Sequence, residues 1–309
     1  MTTTAPAALT PSWRRTVGGY VALMKLRVVE LLLVTTVPTM VVAKGGWPSI
    51  GLIVATLIGG TLAAGGANAI NMVYDRDIDA VMKRTQNRPL VTGIMTPRAA
   101  LIFAFVIEAA AFVELWIWVN LLSAVLAVAA TLFYVFVYTM WLKRRSTQNI
   151  VIGGAAGAVP VLVGWSAVTN SLAWPPIILF AIIFIWTPPH FWALAVRYRE
   201  DYEAVDVPML PVVASMERTT LEILVYSIVM AAAAMLFGAS AHLGALYAIV
   251  AAVLNLAFIW MAVQLYLKAR RGEEIAGHDA MRLFHFSITY LTLLFVAMAG
   301  DVLLRNALN

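Results

Sequence analysis

Residues 68–90 read NAINMVYDRDIDAVMKRTQNRPL and continue, without a break, the small-residue apolar run GGTLAAGGA at 59–67. Three acids (Asp75, Asp77, Asp79) and four cations (Arg76, Lys83, Arg84, Arg88) therefore crowd the end of a hydrophobic helix. A helix that is oily for its whole length and then abruptly charged is leaving a bilayer. Ionisable groups at such a boundary are expensive unless they are used, so the cluster is a functional candidate as well as a topological marker.

The rest of the chain agrees with a membrane solvent. Of its 309 residues 62% are hydrophobic and only 12% charged, more apolar surface than a soluble domain could hide. The absence of cysteine excludes disulfides, thiolate chemistry and zinc–thiolate sites, and four histidines leave little room for a poly-histidine cage. The net charge of +5 does not point to nucleic acid, because the cations sit beside apolar runs, where they set topology.

A helical span needs roughly 20 apolar residues to cross the hydrocarbon core. Nine stretches qualify: 24–43, 50–74, 99–118, 121–141, 149–168, 174–194, 221–240, 243–267 and 284–304. With nine spans, 19 of the 21 lysines and arginines fall on one face; only Lys44 and Arg305 fall on the other. The positive-inside rule then predicts a cytoplasmic N-terminus and an outside C-terminus. Residues 1–23 contain Arg14 and Arg15 but no compact apolar core with a cleavage site, so they read as a cytoplasmic tail, and 24–309 as a single transmembrane domain. The fold class is an all-α integral membrane protein.

Asn71, Asp75 and Asp79 are spaced i, i+4, i+8. At about 100° per residue each step drifts only about 40° around a helix, so the three line one stripe with Asn68 just below it. Asp77 points nearly the opposite way. Oxygen donors on one stripe at a membrane surface suit Mg²⁺, which takes a few carboxylates and completes its shell with water and phosphate. Simple pairing with the neighbouring Arg76, Lys83 and Arg84 is the plainer alternative, and a second acidic cluster weighs against it. RYREDYEAVDVPMLPVV, residues 197–213, carries Glu200, Asp201, Glu203 and Asp206, so seven of the 16 acids lie in two loops on one face. Between them the segment 138–149 supplies Lys143, Arg144 and Arg145. Acid, base, acid is the layout expected where metal and cations share a diphosphate.

The motif NMVYDRDID resembles the NxxxDxxxD signature of the UbiA-type intramembrane prenyltransferases. The blocks NAINMVYDRDIDAVMKRTQNRPL, YTMWLKRRSTQNIVIGGAAGAVPVLVGW, WTPPHFWALAVRYREDYEAVDVPMLPVV and MRLFHFSITYLTLLF are similar, within that superfamily, to the protoheme IX farnesyltransferase (heme O synthase) family. The resemblance runs from about Lys25 to Leu303. It implies nine helices around a central cavity open to the cytoplasm, and transfer of a farnesyl group from farnesyl diphosphate to a vinyl group of heme B, giving heme O. It also implies Mg²⁺ as cofactor and a bacterial inner membrane, or the equivalent organellar membrane, as location. Asn71, Asp75 and Asp79 match the first motif; Lys83, Arg84 and Arg88 match the following basic segment; Lys143 and Arg144 match the basic loop. The superfamily's second motif is commonly DxxxD, whereas Asp201 and Asp206 here stand five apart, and Asp201, with Glu200 behind it, is the choice for the second acidic group. KLR (Lys25 to Arg27) stands where Lys-Pro-Arg is expected.

That chemistry sets further expectations. Asn71, Asp75, Asp79 and Asp201 would hold the metal; Lys83, Arg84, Arg88, Lys143 and Arg144 would neutralise the diphosphate. Tyr138, Trp165, Trp186, Phe191 and Trp192 are candidates to shield an allylic cation. His190, whose neighbouring prolines suggest a disrupted helix end, is the first choice for heme iron, with His285 second; Arg197 or Arg218 would meet a propionate. A heme A synthase or a terminal-oxidase assembly factor would be a natural partner, though no motif speaks for one. Two rivals stay open: a prenyltransferase with another acceptor, such as a quinone precursor or chlorophyllide, and a cation-coupled transporter. Transporters usually place their acids near the midplane on broken helices, whereas these gather at one surface.

Overall fold

The computed structural model describes residues 13–308, with the side chains at 27, 28 and 31–33 and residues 1–12 and 309 outside the description. Every regular element among the described residues is helical: α1 Trp13–Met24, α2 Leu26–Lys44, α3 Ile50–Tyr74, α4 Arg76–Val81, α5 Pro97–Trp118, α6 Leu121–Leu132 continuing as a π-helix over Phe133–Leu142, α7 Asn149–Thr169, α8 Trp174–Arg197, α9 Arg199–Glu203, α10 Leu210–Val213, α11 Met216–Ser240, α12 Ala245–Arg270 and α13 Gly277–Leu308. Eight of these, from α3 onward with α6 and its π-helical extension taken together, are long and apolar enough to cross a membrane. They coincide with the last eight expected spans. The first expected span, 24–43, coincides with α2, which has 19 residues.

Local chemistry sets the helix starts. Ser49, Thr96, Asn120 and Ser215 each accept a hydrogen bond from a backbone N–H three residues on, at α3, α5, α6 and α11. Pro97 occupies the first position of α5, where no N–H is needed. The small residues of α3 and α7 let neighbours close in. A Cβ on Gly164 of α7 would lie 2.8 Å from the Thr36 carbonyl oxygen of α2, and one on Gly66 of α3 would lie 2.6 Å from the Glu108 side chain of α5.

The main core is shared by α8, α11, α12 and α13, through Trp192, Phe237, Tyr247, Phe258, Tyr290 and Phe295. The membrane acids have places too. Glu108 accepts from Thr131 at 3.1 Å, tying α5 to α6, and Glu114 lies against Gly59 of α3. Glu30 is exposed.

One feature adds to the sequence expectation and one differs from it. Within the segment expected as a cytoplasmic tail, α1 buries Leu23 against Ala69, Met72 and Met95, and Tyr20 packs on Phe103 with ring centroids 4.8 Å apart. Its apolar positions, unremarkable one by one, meet a ready-made face on α3 and α5. The prolines beside His190 do not end the helix. α8 runs unbroken through Pro188 and Pro189, both buried: packed neighbours hold the helix although the two rings withhold the N–H groups that Phe184 O and Ile185 O would otherwise receive.

Candidate active site

α3 ends at Tyr74 and α4 begins at Arg76, with Asp75 as the hinge. The hinge does not scramble the stripe. Asp75 N–H still donates to Asn71 O, and Asp79 N–H to Asp75 O, both at 2.9 Å, so the i, i+4, i+8 phase survives. Asn71, Asp75 and Asp79 are all buried, Asp75 completely. Asn71 Nδ2 donates to Asp75 Oδ2 at 2.8 Å and to the Thr139 hydroxyl at 3.1 Å.

Buried carboxylates must be paired, and these are. Lys143 binds Asp75 Oδ2 directly. Arg88 binds Asp79 Oδ2 at 2.5 Å. Lys25, in the left-handed backbone conformation between α1 and α2 (φ 51°), places its Nζ 3.0 Å from Asn71 Oδ1. Burial, with Arg88 and Lys143 nearby, pulls the Lys25 ammonium down to about 7. Burial also pulls Lys143 down, while Asp75 opposes that. Arg144 takes Asp77 in a fork at 2.6 and 2.7 Å and stands 3.5 Å from Asp75 Oδ1. That fork holds the Asp77 carboxyl down to about 2.

The second acidic loop reaches the first through its tyrosines. Arg84 donates to the Tyr202 hydroxyl at 3.0 Å and lies over the Tyr202 and Tyr198 rings at 5.2 and 5.7 Å. Beneath them Ile78, Met82, Tyr202, Val207 and Met209 form one apolar cluster, with Tyr138 and Phe191 against it. Asp201 itself is half-buried, and among the described residues it has no ion pair or hydrogen bond to the first motif. Lys83 is exposed and likewise unpaired. Among the described residues no three His, Cys, Asp or Glu side chains converge as a metal cage. The donor set of the first motif nevertheless fits a hard cation: Asp75 Oδ1 is buried and receives no hydrogen bond, beside an amide oxygen and a second carboxylate.

His190 is buried, its ring stacked between Trp186 and Phe284 with centroids 4.2 and 4.5 Å away. Its Nδ1 lies 2.6 Å from Ser287 Oγ, and that hydroxyl donates to Phe284 O. The imidazole therefore donates from Nδ1, which leaves the lone pair on Nε2. Arg197 stands exposed at the end of the same helix, over the Tyr198 ring. Of the other aromatic candidates, Trp192 is edge-on to Tyr226 in the core rather than in the acidic cluster.

Sequence reasoning did not assign Thr139 or Tyr202 a role. Thr139 lies on the π-helical segment, whose wider turn ends with Lys143 N–H donating to Tyr138 O, and no residue pattern announces that register. Lys25 was visible only as a topological cation and as part of KLR.

The family described as UbiA prenyltransferase matches residues 32–302. A chain named protoheme IX farnesyltransferase from Parafrankia sp. (strain EAN1pec) is 55% identical over 286 residues, 93% of this chain and 90% of the relative. One of the same name from Nocardioides sp. (strain ATCC BAA-499 / JS614) is 53% identical over 289 residues, 94% of this chain and 92% of the relative. A solved structure from work on digeranylgeranylglyceryl phosphate synthase superposes with a TM-score of 0.76 at 16% identity, covering 93% of this chain and 98% of that one. A UbiA homolog from Archaeoglobus fulgidus bound to GPP and Mg²⁺ superposes with a TM-score of 0.62 at 18% identity, covering 91% and 99%. At such identities the structural likeness speaks for the fold alone.

Proposed function

The chain belongs to the UbiA prenyltransferase family, and from that premise we propose that it transfers the farnesyl group of farnesyl diphosphate to a vinyl group of heme B, making heme O. The relatives named for this reaction, at 53–55% identity over nearly the whole chain, support the acceptor. The observation that carries the reaction type is the buried Asn71–Asp75–Asp79 stripe with Lys143, Arg88 and Lys25 already against it.

Asn71, Asp75, Asp79 and Asp201 would hold Mg²⁺, which when bound spreads the negative charge of the leaving diphosphate. Lys143 and Arg88 stand within hydrogen-bond reach of any phosphate oxygen that enters between them and the acids. Lys83 and Arg84 line the approach, and Arg144 braces the far side of Asp75. Positive charge already in place costs no reorganisation as the C–O bond breaks; a donor so placed is worth about 3–4 kcal/mol. The vinyl electrons attack the allylic carbon and form the new C–C bond. Water adds to the porphyrin-side cation and loses a proton, so the products are heme O, diphosphate and H⁺. Tyr138 and Phe191, which pack against the apolar cluster between the acidic loops, would keep water from the allylic carbon.

We assign His190 to the iron and Arg197 to a propionate. The Nε2 lone pair lies in the plane of a ring stacked on both faces, so a metal can approach only edge-on, the direction an imidazole binds. Arg197 is seven residues further along α8, two turns and about 10 Å, on the same side of the helix. The acidic loops face the cytoplasm of a bacterium, or the equivalent organellar compartment. This reading, with nine spans, is supported by the two cations on the opposite end: Asn306 donates to Gly45 O at 2.5 Å, so Arg305 and Lys44 share that end.

Membranes containing the protein, supplied with Mg²⁺, farnesyl diphosphate and heme B, will yield farnesylated heme by mass spectrometry, and a chelator will stop it. Product only with a quinone precursor or chlorophyllide would overturn the acceptor; substrate flux in liposomes without any product would overturn the enzyme.

A further inference from the structure

The flank formed by α3, α5 and the π-helical part of α6 carries a groove of about 480 Å³. Its floor is apolar, built from Ile70, Val73, Leu101 and Met140, and its rim carries Arg76, Asp77 and Arg144. Tyr74, the last residue of α3, sits between rim and floor with the Arg144 guanidinium over its ring at 5.1 Å. Charge lies at the helix ends and oil one turn deeper, so the groove has the polarity of one lipid leaflet.

The rim is one positive charge out of balance. Asp77 is taken by Arg144. Arg76 has only a backbone bond, to Val73 O at 3.1 Å, and no carboxylate within ion-pair range among the described residues. Arg144 Nε is buried and has no hydrogen-bond partner. With Arg144 held by Asp77 and beside Asp75, Arg76 is the uncompensated charge, and one excess positive charge matches a phosphodiester, which carries a single negative charge. A prenyl diphosphate carries more negative charge than this single excess arginine balances, so the rim suits it less well.

We propose that this groove binds one anionic phospholipid, its phosphate on Arg76 and Arg144 and an acyl chain along Ile70, Val73, Leu101 and Met140. The assigned ligand depends on membrane embedding, not on the acceptor of the proposed reaction.

The test is native mass spectrometry of the full chain released from detergent after incubation with dioleoyl phosphatidylglycerol or dioleoyl phosphatidylcholine. The wild type should retain one phosphatidylglycerol in preference to phosphatidylcholine. Losing one interfacial cation is worth about fivefold in affinity, so Arg76→Gln should cut that preference about fivefold. Leu101→Trp, which fills the floor, should remove both lipids; should it fail to fold, Arg76→Gln alone decides. Equal retention of the two lipids, an unchanged preference in Arg76→Gln, or displacement of phosphatidylglycerol by farnesyl diphosphate in step with its occupancy would each overturn the assignment.

Discussion

The two acidic loops of this protein have similar composition and opposite construction. In the first, Asp75 and Asp79 are buried and each is held by a cation, Lys143 or Arg88. In the second, Glu200, Glu203 and Asp206 are exposed, Asp201 is half-buried, and none has an ion pair among the described residues. A carboxylate withdrawn from water must find a counter-charge or it destabilises the fold, whereas one at the surface is solvated and needs nothing. The first loop is therefore part of what holds the bundle together, and the second is free to answer to a ligand. Substitutions in the two should separate activity from stability.

The largest effect is expected at Asp75. Asp75→Asn leaves Lys143 buried without its counter-ion, which typically costs 3 kcal/mol or more, about that much here. It also removes a proposed metal ligand, so turnover should fall about a hundredfold or further. Product formation by mass spectrometry and thermal unfolding in detergent measure the two separately. An unfolding temperature equal to the wild type's would break the contrast, since the buried network would then support nothing.

Asp201→Asn should come next. Turnover should drop about tenfold to a hundredfold if Asp201 completes the metal site. Stability should stay within about 0.5 kcal/mol, because no partner is stranded. A loss of stability as large as that of Asp75→Asn would show that both loops are structural.

How much of this could be read in the chain follows from the same contrast. The eight long helices from α3 onward were legible because a bilayer demands long apolar runs, and the stripe was legible because helical phase fixes which residues share a face. The partners of the stripe were only half legible. Arg88 and Lys143 are charged and close to the motifs in sequence or in type. Thr139 is an ordinary threonine that reaches Asn71 only through the π-helical register, and Lys25 reaches it through a left-handed backbone that no propensity predicts. The helix within the expected tail was not legible because the twelve residues 13–24, with four glycine and arginine interruptions, are unfit for a span; α1 needs no span, only the face that α3 and α5 offer. Pro188 and Pro189 misled for a related reason, since breaker residues act by local rules that tight packing overrides.

A smaller effect is expected where the loops meet. Tyr202→Phe removes the hydroxyl that accepts from Arg84 but keeps the ring beneath the guanidinium. One such bond is worth about 1 kcal/mol, so KM for farnesyl diphosphate should rise about fivefold while the fold is kept. An unchanged KM would mean that the second loop is positioned by its apolar contacts alone.

Asp206 gives the smallest effect and the sharpest comparison, because it is the other acid that could close the second motif. It is exposed and sits in the left-handed region at φ 52°, a conformation that glycine adopts without penalty and an aspartate tolerates at a cost. If Asp201 is the ligand, Asp206→Gly should keep full turnover and gain about 0.5–1 kcal/mol in stability. If Asp206 is the ligand instead, the same change should slow turnover as Asp201→Asn does while still relaxing the backbone. The stability gain is common to both cases and reports that the substitution took effect; the rate alone decides which carboxylate the loop brings to the metal.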